Sequence, residues 1–134
     1  MAAHIIEVEK AQELEGTLER PGGRTDAALV EAGTKSTRYL GRPEDDPVTP
    51  QQPPYVFHIR RPAGDVTPEH SHAANRTEFL IEGRIEWRER GKEPVEYGAG
   101  TLTYVEAGTV YGYEVLQDAT ILIIFEQPPG MNYR

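Results

Sequence analysis

An all-β fold, a sandwich or small barrel of short antiparallel strands, is predicted by three observations. Thirteen Gly and eleven Pro are scattered through 134 residues, a density that favours tight turns over long helices. Apolar and alternating runs are short and end at Gly turns roughly every eight to twelve residues. No stretch alternates strands with helices in a βαβ pattern, and no internal repeat is present.

Taken in order, residues 1–20 mix charge with sparse apolar positions. A short amphipathic helix through Val8, Ala11, Leu14 and Leu18 and a strand through His4–Val8 are both compatible with them. PGGR at 21–24 is a turn, and the better strand candidate in 25–40 is Thr34–Leu40. Residues 42–54 hold five prolines in thirteen positions and form an irregular loop. Tyr55–Arg61 reads as a strand, Gly64–Pro68 as a turn, and His70–His72 and Thr77–Glu82 as strands, with RIEWRER after Gly83. Lys92–Glu96 turns into YGAG, followed by strands over 101–105 and 110–116. Asp118 then turns the chain into ATILIIFE (119–126), the most apolar run. This divides the chain into an extension over 1–54 packing on the barrel, a core over 55–126, and a polar tail over 127–134 that Tyr133 is placed to pin.

Composition excludes several classes. The absence of Cys removes disulfides, thiolate ligands, iron–sulfur clusters and a Cys nucleophile. A net charge of −8 argues against a nucleic-acid partner, which needs a basic surface. MAAHIIEVEK lacks the basic start and apolar run of a signal peptide, and no later run reaches membrane-span length. A cytoplasmic protein with a small-molecule partner is expected.

Chemistry concentrates in GDVTPEHSHAANRTEFLIEG (64–83). Side chains two apart on a strand share a face, so the imidazoles of His70 and His72 can aim into one cavity and begin a metal site. Glu78 lies two residues beyond Arg76, so both face the same way. It is the nearest carboxylate able to complete a two-His, one-carboxylate set. Arg76 opposes that set. A guanidinium about 5 Å from a dication is repelled by roughly 6–7 kcal/mol at an effective dielectric near 20. Arg76 must therefore turn outward, pair with Glu78, or meet an anionic substrate group. His58 is a candidate cavity residue or a core His. Trp87, Tyr104, Tyr113 and Phe125 are candidate core or cavity wall.

Gly64, five residues, His70-Ser71-His72, three residues, Arg76, six residues, Gly83 resembles the first cupin motif, with Arg in place of the usual Glu ligand. Gly100, five residues, Glu106-Ala107-Gly108, two residues, Tyr111 resembles the second, with Glu106 for Pro and Tyr111 for His. The resemblance covers 55–126 and implies a double-stranded β-helix, or jelly-roll barrel, with one central pocket and a homodimer. It implies a small metalloenzyme acting on an oxygenated aromatic, ketone or polyketide-like substrate, nearest in pattern to dihydroxyacetophenone-dioxygenase-like cupins. His70, His72 and Glu78 would hold the metal, iron first and manganese, nickel, cobalt or zinc otherwise. Tyr111 and Glu78 would be catalytic, and Arg76, His58 and Tyr113 would bind substrate. The two replaced ligands leave open a metal-free cupin that binds a small ligand, or a metal-independent isomerase or cyclase using Tyr111 and Glu78.

Overall fold

Alternation of apolar and polar side chains builds two antiparallel sheets that share their two longest strands. The computed structural model describes residues 2–14, 19–20, 24–25, 36–47, 49–128 and 131–133. Its strands are β1 (Gln12–Glu13), β2 (Glu19–Arg20), β3 (Arg24–Thr25), β4 (Ser36–Tyr39), β5 (Tyr55–Arg61) and β6 (Val66–His72), then β7 (Arg76–Glu89), β8 (Val95–Gly98), β9 (Leu102–Val105), β10 (Tyr111–Phe125) and β11 (Met131–Tyr133). The first half of β7 and the second half of β10 lie side by side, flanked by β9 beyond β7 and by β5, β4 and β1 beyond β10. The second half of β7 and the first half of β10 continue into the other sheet, between β8 on one side and β6 and β11 on the other. Two sheets joined by strands that bend from one into the other make the jelly-roll barrel that the sequence predicts.

The bend has a local cause. Gly83 sits at φ +99°, and a Cβ there would lie 2.5 Å from the Asp118 carbonyl oxygen. Only glycine allows the two strands to approach this closely while turning. Across it the inward positions of β7 change parity: Arg76, Glu78 and Leu80 are buried before the bend, Ile85 and Trp87 after it. The register between β7 and β10 shifts opposite the same point. This corrects two sequence expectations. Residues 76–89 are one strand rather than two, and Asp118 does not end a strand between 110–116 and 119–126. Register shifts absorb the irregularity, and the Asp118 carboxylate instead accepts the Ala63 N–H at 2.9 Å.

The other elements follow the sequence more closely. Tyr55–Arg61 is β5 as expected, and residues 42–47 and 49–54 form no strand. The proposed N-terminal helix is reduced to a single 3₁₀ turn at Val8–Lys10 before β1, and Leu18 lies outside the described residues. Strand β6 begins at Val66, inside the expected turn, and the tail pairs with it through Met131↔His72 and Tyr133↔His70. The interior is closed by Leu80, Ile85, Val115, Ile121, Ile123 and Phe125 with the aromatic rings of Phe57, Trp87, Tyr111 and Tyr113. Among the described residues no helix is long and apolar enough to cross a membrane.

Candidate functional site

Strand alternation brings His70 and His72 onto the inner face of β6, beside Tyr111 on β10, with which His70 is in register. Both histidines are buried. His70 Nδ1 donates to the Pro68 carbonyl at 2.8 Å, which leaves its Nε2 facing the interior. That atom is 3.1 Å from His72 Nε2. Two ligands at right angles on one ion, each about 2.1 Å from it, would be about 3 Å apart, a separation that the two Nε2 atoms match.

The third member is a cation. The Arg76 guanidinium, 3% exposed, donates from Nη2 to Glu78 Oε2 at 2.7 Å and lies with Nη1 3.2 Å from His72 Nε2. Its plane covers the Tyr111 ring, with Cζ 4.7 Å from the centroid, and Phe125 lies 5.8 Å away. Burial is the largest single influence and opposes the Arg76 charge, but the Glu78 carboxylate together with Tyr111, Tyr113 and Tyr97 outweighs it and the pKa is raised, so this is a permanent cation. Of the three outcomes open to Arg76 in the sequence, the structure takes pairing with Glu78.

This answers whether a divalent metal fits. His72 Nε2 faces a guanidinium, and the carboxylate expected to complete the set is held by that same guanidinium. Among the described residues no group of three or more His, Asp or Glu can hold a metal ion. The residues as arranged do not fit a dication, for the electrostatic reason given above.

The remaining groups are acid–base in character. The Tyr111 ring is fully buried, stacked on Trp87 with centroids 4.5 Å apart and planes 8° from parallel. Burial drives its pKa well above the ordinary phenol value, so its hydroxyl stays protonated at neutral pH. The Arg76 charge reaches it, yet Tyr111 Oη makes no hydrogen bond of normal geometry with the described residues, and neither does Glu78 Oε1. Tyr97, not singled out in the sequence, is also raised, first by burial and then by the Glu78 charge.

Of the other expected site residues, Tyr113 adjoins this cluster and His58 does not. Tyr113 shares the inner face with Tyr111 but is covered by Arg61, whose Cζ is 4.8 Å from its centroid. Arg61 forms a second buried ion pair with Asp65 at 2.6 Å and also reaches the Thr67 hydroxyl. The sequence reading missed this pair, although its spacing of four residues around the Gly64 turn was a visible signal. His58 alternates with Phe57 and so occupies the opposite face of β5, in the fields of Arg60, Glu9 and Arg38 rather than beside the histidine pair.

Burial, then Arg60, lowers the His58 pKa from the usual 6.5. Above about pH 6.5 the ring is neutral whether the chain is folded or not. Below it the unfolded chain takes up the proton first, and stability falls by at most about 1.4 kcal/mol per pH unit for one group. Urea melts at pH 7.0 and 5.5 are therefore expected to show a larger loss for the wild type than for His58→Gln. Parallel losses would exclude His58 as a source of acid sensitivity.

Solved structures of similar shape include the DMSP lyase DddQ from Ruegeria pomeroyi. It is 21% identical at TM-score 0.64, over 89% of this chain and 59% of the lyase. The polyketide cyclase RemF from Streptomyces resistomycificus is 12% identical at TM-score 0.67, covering 98% of this chain and 84% of the cyclase. A predicted oxalate decarboxylase from Thermotoga maritima is 14% identical at TM-score 0.65, over 92% and 99%. At these identities the likeness is one of fold. No curated protein matches the chain in sequence. Residues 57–125, from the middle of β5 to the end of β10, match the cupin domain, and with the glycine-bounded motifs and the two shared strands they show that the chain belongs to the cupin family.

Proposed function

We propose that this cupin is an enzyme acting on a small oxygenated organic substrate by proton transfer, in the manner of a lyase, cyclase or isomerase. The observation that carries the reading is the convergence of an Arg-held carboxylate, Glu78, and a protonated phenol, Tyr111, on one buried cation, Arg76. That set suits abstraction of a proton next to a carbonyl. Glu78 Oε1 takes the proton from carbon. The developing enolate oxygen is stabilised by the Tyr111 hydroxyl and by the positive charge of Arg76. Arg76, Glu78 and Tyr111 are all buried, which strengthens both interactions. The similar folds of a lyase and a cyclase support the same class of small-molecule chemistry.

The test is deuterium exchange. Purified protein in D₂O with a panel of aromatic ketones and 1,3-diketones is expected to accelerate α-proton exchange, read by proton NMR. Tyr111→Phe is expected to lower the rate about 10²–10³-fold by removing one donor to the oxyanion. Exchange equal in wild type and in Glu78→Gln would end this reading. The dioxygenase reading, with iron on His70, His72 and Glu78, has the 3.1 Å approach of the two Nε2 atoms in its favour but is opposed by the Arg76 guanidinium that holds Glu78. Oxygen consumption with the same panel would select it.

A further inference from the structure

We propose that Arg76 is a resident cation occupying the position of a divalent ion in this barrel, and that it keeps first-row metals off an otherwise competent ligand set. Three contacts support this. The guanidinium lies between the two kinds of ligand a dication would use, with Nη1 3.2 Å from His72 Nε2 and Nη2 2.7 Å from Glu78 Oε2. It is fixed there by the Tyr111 face at 4.7 Å and by Phe125 at 5.8 Å, so it has little room to withdraw. The two Nε2 atoms still stand 3.1 Å apart, a separation that suits one ion, and Glu78 is buried on the other side of the guanidinium.

Such a cation differs from a metal in what it can do. It supplies positive charge and directed N–H donors, but it has no open coordination position and cannot change oxidation state. The site is thereby confined to binding and polarising anionic oxygen. Its charge is present at every physiological pH and is not lost to a chelator. The inference stands apart from the exchange activity proposed above, since it concerns metal uptake alone and its readout is not turnover.

Cobalt(II) is the probe, because bound Co²⁺ is counted by elemental analysis and reports its ligands in the visible absorption spectrum. Wild-type protein equilibrated with Co²⁺ and desalted is expected to retain less than about 0.1 equivalent. The Arg76→Glu variant removes the cation and adds a carboxylate, and it is expected to retain about one equivalent with new absorption bands. Both are to be lost when His70→Ala and His72→Ala are added. Should R76E fold only with Co²⁺ present, as judged by circular dichroism, metal-dependent folding counts as the same result. Should it fail to fold under either condition, Arg76→Gln, which removes the charge at lower cost, decides in its place by the same gain. One equivalent of Co²⁺ bound by the wild type and lost in the His70→Ala, His72→Ala variant would overturn the proposal. A folded R76E or R76Q that binds none would overturn it equally.

Discussion

Arg76→Met and Glu78→Leu are each expected to cost about 3–5 kcal/mol of folding stability, whereas the double variant recovers most of that loss. The reason is the depth of the pair. Both side chains are under 5% exposed and are joined by a 2.7 Å charge-assisted bond. Removing one partner leaves the other as an uncompensated charge in a closed barrel, far more costly than losing a bond in water. Removing both leaves a neutral interior that apolar side chains can fill. Urea denaturation of the four proteins gives the coupling energy directly. Additive single losses would show that the two charges do not depend on each other, and that either water or another group solvates them.

Gly83→Ala is expected to be about as damaging, at about 3–5 kcal/mol, since two penalties combine. A side chain is strained at φ +99°, and the new Cβ would meet backbone atoms of Gln117, Asp118 and Ala119 at 2.5–2.8 Å. Those atoms belong to β10 and cannot yield without opening the bend that both sheets share. Gly100→Ala is the control. Its φ is +88°, but nothing lies within 4 Å of the added methyl group, so backbone strain alone costs about 1 kcal/mol. Thermal unfolding of the pair separates close approach from conformation. Equal losses would mean that contact with β10 contributes nothing at Gly83.

These two effects act on one architecture. Strand β7 carries Arg76 and Glu78 before its bend and Trp87 after it, while β10 carries Tyr111 before its own irregularity and Phe125 at its end. The buried pair is thus covered by aromatic rings from both halves of β10. A change at Gly83 is expected to reach the interior cluster through this shared wall, although Gly83 itself faces Asp118 rather than the histidines.

What the sequence determined by itself is which residues are extended and which of them share a face. Period-two alternation puts His70 with His72, and Arg76 with Glu78, on common sides, and glycines at positive φ mark where the chain turns. These are properties of neighbouring residues, and short-range sterics enforce them whatever the rest of the molecule does. Tertiary structure alone decided which neighbour Arg76 would choose. That choice depends on how much water reaches the site, and burial is set by distant segments: Phe125 and Tyr111 from β10, and Trp87 from beyond the bend. It also decided that 76–89 and 111–125 are continuous strands, because a bulge and a turn share the same residues and differ only in whether a partner strand remains alongside. His58 looked equivalent to the motif histidines by residue type, yet one step of alternation sends it to the other side of the sheet. Local geometry fixed which way each group faces; the closed, low-dielectric interior fixed what each charge is paired with, since only there does an unpaired charge cost enough to dictate the arrangement.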